Sequence, residues 1–196
     1  MRTSSLPFIA MLMAALPSCG QASQIQSKAV APLEVTFAYS AVRSDTIPGG
    51  CGCLWMQGGN AEFRAAFSSR IGFVGEIAGH HASNIDSAHE DISLVSYLFG
   101  PRFSFRIRRF TPFAQVLIGG AHGFDAIFPN SNRSPTAPDA FAMAAGGEVN
   151  IDLSRRFAVR PFQADYILTD LPNTAANHQN SLRLGAGIVF KFPPPE

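Results

Sequence analysis

The chain has 196 residues, of which 46% are hydrophobic and 15% charged, with a formal net charge of +1 and three cysteines. So few cysteines exclude a disulfide-stapled scaffold, and a near-neutral balance with no long basic stripe excludes a nucleic-acid surface. Past the N-terminal segment no run approaches the ~20 consecutive apolar residues of a transmembrane helix. A membrane-spanning form of this chain must therefore cross with strands.

Arg2 and the apolar run Leu6 to Leu16 (LPFIAMLMAAL), followed by small and polar residues through Ala22, have the form of a secretory signal peptide over residues 1–22. Leu16-Pro17-Ser18-Cys19 also resembles a lipoprotein processing site, so lipidation of Cys19 is the alternative fate of this segment. Residues 23–32 read as a linker, 33–192 as a single domain and 193–196 as a proline-rich tail.

Reading for period two yields eight strands. In chain order they are Leu33 to Val42, Trp55 to Phe67, Ile71 to His80, Ile92 to Arg106, Pro112 to His122, Ala140 to Asp152, Phe157 to Thr169 and Ser181 to Phe192. The connections alternate in length. Ser68 to Arg70, Ile107 to Thr111 and Leu153 to Arg156 are short; Arg43 to Leu54, His81 to Asp91, Gly123 to Asp139 and Asp170 to Asn180 are long.

Each strand separates an oily face from a polar one. Leu182, Leu184, Ala186, Ile188, Phe190 and Phe192 alternate with Ser181, Arg183, Gly185, Gly187, Val189 and Lys191. Phe63 and Ala65 alternate with Glu62 and Arg64 in the same way, and Phe103 and Phe105 with Arg102 and Ser104. A soluble lipid-carrying barrel would put its apolar face inward. Charge on the face opposite the aromatics predicts the inverse, an all-β, eight-stranded, antiparallel up-and-down transmembrane barrel with lipid outside. Phe67, Phe105, Phe110, Phe157, Phe190 and Phe192 fall near the short-turn ends, where an interfacial aromatic belt would lie. The short turns carry Arg70, Arg106, Arg108, Arg109, Arg155 and Arg156, read as solvated turn residues in contact with headgroup phosphates. The long connections carry Asp45, Asp86, Glu90, Asp91, Asp125, Asp139 and Asp170.

This strand count and loop rhythm, with YLFGPRFSF (Tyr97 to Phe105), RFTPFAQVLIGGAH (Arg109 to His122) and FAVRPFQADYILT (Phe157 to Thr169), resemble the bacterial outer-membrane barrels typified by the OmpA transmembrane domain and OmpX, and particularly an acidobacterial group of them. The resemblance implies an outer-membrane location with short turns and both termini periplasmic. It also implies a terminal aromatic, here Phe192, read by the barrel-assembly machinery; Pro193 to Glu196 after it depart from that pattern. The implied partners are outer-membrane lipid and lipopolysaccharide, for a monomer with a structural or surface-interaction role: membrane integrity, adhesion, or lipopolysaccharide contact through the outer loops.

Glu62, Glu76, Glu148 and Asp165 with Arg64, Arg102 and Arg183 are expected to form a charge network inside the barrel. Eight strands leave an interior just filled by side chains, so the network is expected to plug the lumen; a narrow polar pore is the alternative. Cys51-Gly52-Cys53 is expected to form a loop disulfide. The five histidines lie in or beside the long connections without metal-site spacing, so neither a metal nor a cofactor is expected. His81-Ala82-Ser83-Asn84 resembles a segment of outer-membrane lipid A deacylases. That resemblance implies an enzymatic alternative in which His81, oriented by a carboxylate such as Glu90, activates Ser83; the expectation from the barrel itself is a protein that is not an enzyme.

Overall fold

The computed structural model describes residues 33–45, 53–85, 90–124, 139–171 and 178–192. The expected signal peptide, linker and tail, and Cys51, lie outside the described residues, as do the side chains of Cys53 and Glu90. The described residues form eight strands: β1 (Leu33–Asp45), β2 (Cys53–Ala66), β3 (Ile71–Ile85), β4 (Glu90–Ser104), β5 (Phe110–Phe124), β6 (Asp139–Asp152), β7 (Phe157–Thr169) and β8 (Gln179–Phe192). Each pairs antiparallel with its sequence neighbours, and β1 closes on β8 from Leu33 opposite Phe192 to Ser44 opposite Ser181. Closure leaves no edge strand, so the ladder satisfies the wall's backbone N–H and C=O groups without water.

Most strands run further toward the long connections than period-two patterning indicates. Residues 81–85, expected in a connection, continue β3, with His81 opposite Ser93 and Ala82 opposite Ile92. Backbone pairing does not need a continued alternation of side chains, so the ladder outlasts the hydrophobic pattern. At the other end Phe67, Phe105 and Arg106 leave the strands for the turns, while β5 starts at Phe110, before Pro112.

The alternation has the predicted sense. Thr36, Glu62, Glu76, Arg102, Glu148, Asp165 and Arg183 are buried, whereas Phe37, Phe63, Ile77, Phe99, Ile118 and Ile188 are about half exposed on the outer wall. That wall is a continuous apolar surface far larger than a water-soluble monomer sustains. On β7 the phase slips. Arg160 and Gln163 are both fully buried while Pro161 and Phe162 between them both face out, and three steps along β7 match two along β8, from Gly187 to Gly185. This is a β-bulge, and Pro161, with no N–H to give the ladder, sits where a ladder bond is dispensable.

Two short turns share one construction. The Ser68 Oγ accepts from the N–H groups of Arg70 and Ile71 at 3.3 and 3.0 Å, and the Ser154 Oγ from those of Arg156 and Phe157 at 3.2 and 3.0 Å. The third is a tight reversal in which Ile107 and Phe110 exchange backbone bonds of 2.7 and 2.9 Å around Arg108 and Arg109. Arg108 takes φ 56°, a left-handed conformation that is uncommon for a residue bearing a Cβ.

Candidate functional site

The inner wall gathers charge into two neighbouring clusters. In the first, Glu62 on β2 accepts from two arginines through one oxygen, Arg102 Nη2 at 2.6 Å and Arg160 Nη2 at 2.8 Å. Arg160, three strands away around the wall, also meets Glu148 at 2.5 Å, and donates to Asn150 Oδ1 at 3.1 Å and Thr36 Oγ1 at 3.2 Å. Gln115 completes the ring: its Oε1 accepts from Arg102 Nε and Nη2 at 3.0 and 2.6 Å, and its Nε2 donates to Glu148 Oε1 at 2.9 Å. The Arg102 guanidinium also lies 3.9 Å from the centroid of Phe113, an inward aromatic, and that of Arg160 lies 5.1 Å from it.

In the second cluster Arg183 on β8 reaches across to β3. Its Nη1 and Nη2 donate to the two oxygens of Glu76, each at 2.7 Å, a fork-to-fork pairing that fixes both planes. Its Nε also donates to Asp165 Oδ2 at 2.9 Å; Gln163 and Asn60 donate to Asp165 and Glu76 at 2.8 and 3.1 Å. Each of the three arginines is at most 1% exposed. A guanidinium so far from water is tolerable only when its partners are this close and this many.

The structure thus brings Glu62, Glu76, Arg102, Glu148, Asp165 and Arg183 together in the interior. Arg64 stands apart, paired with Glu34 at 3.1 Å near the short-turn end. Arg160, the central cation of the first cluster, has no place in the sequence expectation. Strict alternation counted back from Asp165 puts Arg160 on the lipid side, and only the bulge returns it to the interior. Pro161 was the available signal. The uncharged partners Gln115, Asn150, Gln163, Asn60 and Thr36 carry no sequence signature of their own.

The lining is not polar throughout. Val74, Leu98, Leu117, Ala121, Ala142, Ala144 and Ile167 form a buried apolar cluster on the β3 to β7 side, and Val42, Met56 and Ala82 form another toward the long connections. His80 is buried beside Ser40, with 2.9 Å between its Nε2 and the hydroxyl.

His81 and Ser83 are both exposed on β3, and the His81 Nδ1 contacts Ser93 Oγ at 2.9 Å, on the facing strand. At the same end His122 pairs with Asp139 and His178 with Asp170, both at 2.6 Å. No group of three potential metal ligands occurs among the described residues. Phe192 is 55% exposed at the closing end of β8. On the outer wall a shallow hollow of about 530 Å³ lies among Phe37, Tyr39, Gly59, Ala61 and Ile77.

A closed eight-stranded barrel with an apolar exterior and a charged interior defines the class: this is the fold of the small bacterial outer-membrane barrels. Solved structures agree on that fold. Over 83% of this chain and 99% of its own, Ail, the attachment invasion locus protein of Yersinia pestis in complex with the heparin analogue sucrose octasulfate, superposes with TM-score 0.57 at 20% identity. Neisserial surface protein A matches 82% of this chain over 97% of its own (TM-score 0.63, 13% identity), and OprG of Pseudomonas aeruginosa 84% over 97% (0.56, 13%). No protein-family model and no curated sequence matches the chain.

Proposed function

We propose that this protein is a non-enzymatic outer-membrane barrel whose interior is a plug and whose long connections meet the cell's surroundings. The observation that carries the plug is the span of the ion pairs: Arg160 to Glu62 and Arg183 to Glu76 each bridge β-strands three apart, crossing the lumen at their level. In a barrel of eight strands such struts occupy the width that a solute would need. The short turns and both termini lie in the periplasm in this reading, and Phe192 serves as the signal for assembly.

The chemistry of the surface follows from charge. Ail is described with a heparin analogue, a polyanion. Here the long connections, from Arg43 to Leu54, His81 to Asp91, Gly123 to Asp139 and Asp170 to Asn180, carry seven acidic residues against Arg43 and Arg133. A polyanionic ligand of that kind would be repelled, and contact with lipopolysaccharide phosphates through these segments requires divalent cations as bridges. The partner that fits without a bridge is cationic.

Planar-bilayer recording of the refolded chain tests the plug. The reading expects no unitary conductance; steady ion conduction by the wild-type chain would replace it with the narrow-pore alternative. Lipid A acyl content in cells expressing the wild type, H81A or S83A tests the non-enzymatic reading: it expects no difference, and deacylation lost in either variant would establish the hydrolase.

A further inference from the structure

We infer that the short-turn end is a binding collar for anionic phospholipid headgroups, with Arg70, Arg108, Arg109, Arg155 and Arg156 as its phosphate donors. All five residues are exposed and none has a carboxylate partner among the described residues. The described carboxylates at this end are taken: Glu34 is held by Arg64, and Asp152 by Lys191 and by Arg106 at 2.8 Å.

The three turns repeat one chemical arrangement. Arg70 lies between the exposed Phe67 and Ile71, Arg108 and Arg109 between Ile107 and Phe110, and Arg155 and Arg156 between Leu153 and Phe157. Those six apolar residues are 43 to 73% exposed. In water this apolar surface is a cost repeated at every turn; at the boundary between acyl chains and headgroups the same residues bury their apolar groups while the guanidiniums reach the phosphate layer. Arginine suits that layer because its planar fork donates two parallel hydrogen bonds to one phosphate. The φ of Arg108 points the same way, since a glycine would fill that position more cheaply and an arginine stands there.

The distribution selects the partner. The turns join β2 to β3, β4 to β5 and β6 to β7, so the arginines are spaced around the circumference. One compact soluble anion or acidic peptide docks on one side of such a ring, whereas lipids surrounding the barrel meet all three turns at once. The inference depends on the apolar outer wall and not on the interior plug.

Electron paramagnetic resonance tests it with the chain refolded into phosphatidylcholine nanodiscs containing spin-labelled phosphatidylglycerol or, in parallel, spin-labelled phosphatidylcholine. The collar predicts that the motionally restricted shell around the barrel favours phosphatidylglycerol about fivefold. That preference falls to near onefold in a variant with all five arginines changed to glutamine, is largely kept when they become lysine, and shrinks in about 1 M salt. Equal restriction of the two lipids by the wild type, or a preference unchanged in the glutamine variant, overturns the proposal; so does an acidic polypeptide that binds the turns while the lipids are not discriminated. Heat-modifiable gel migration verifies folding of each variant. Should the glutamine variant not fold, a wild-type preference indifferent to salt overturns the proposal by itself.

Discussion

Glu62 and Glu76 are directly opposite one another on the inner wall, cross-strand partners on β2 and β3. Two carboxylates in that position repel, and here each turns to different arginines: Glu62 to Arg102 and Arg160, Glu76 to Arg183. The acidic pair is thereby the hub through which three cations from β4, β7 and β8 are tied to one side of the barrel.

The two carboxylates should not be equivalent. Removing Glu62 strips a carboxylate from two buried arginines, and E62A is expected to cost about 3 to 5 kcal/mol. E76A should cost less, because Arg183 keeps Asp165 and the like-charge opposition is relieved. Urea unfolding in detergent micelles, followed by tryptophan fluorescence, measures the order; E76A as damaging as E62A would contradict it.

Neighbouring glycines on β6 give an opposed pair of predictions. A methyl group on Gly146 would lie 1.9 Å from Asp165 Oδ1, whereas on Gly147 it would come no nearer than 3.6 Å, to the Phe113 carbonyl. G146A should displace Asp165 from Arg183 and cost about 1 to 3 kcal/mol; G147A should be close to neutral. Equal midpoints for the two variants in the same unfolding assay would show that Asp165 is not packed against Gly146.

The bulge on β7 predicts two consecutive lipid-facing residues. In a C19S/C51S/C53S background, an environment-sensitive fluorophore attached at P161C and, separately, at F162C should give blue-shifted, lipid-like emission at both positions. A regular strand would make one of the two polar and would return Arg160 to the lipid side, where an arginine at the bilayer midplane costs about 2 to 4 kcal/mol.

That bulge also marks how far the sequence could be read. Strand number, antiparallel order and the sense of each face followed from period-two alternation, because side chains facing lipid and lumen obey opposite solvation demands at every second residue. Arg160 was hidden because one inserted residue inverts that parity and a proline in a strand does not say which side it shifts. Strand ends were hidden too, as at residues 81–85, since the ladder is held by backbone groups common to every residue but proline. The partners Gln115 and Gln163 were illegible for a third reason: an amide becomes part of a site only through the arginines that three-dimensional closure brings beside it.

The barrel is inverted relative to a soluble one, with lipid against the Phe63 and Val116 face and ionic pairs inside. Quenching of single tryptophans by brominated phosphatidylcholine addresses it directly. Trp55 is the only tryptophan in the chain, so W55F removes the background, and V116W and F113W then place one reporter on each face of β5. Strong quenching of V116W with little quenching of F113W is the predicted result; the reverse order, or quenching of neither, would contradict the account.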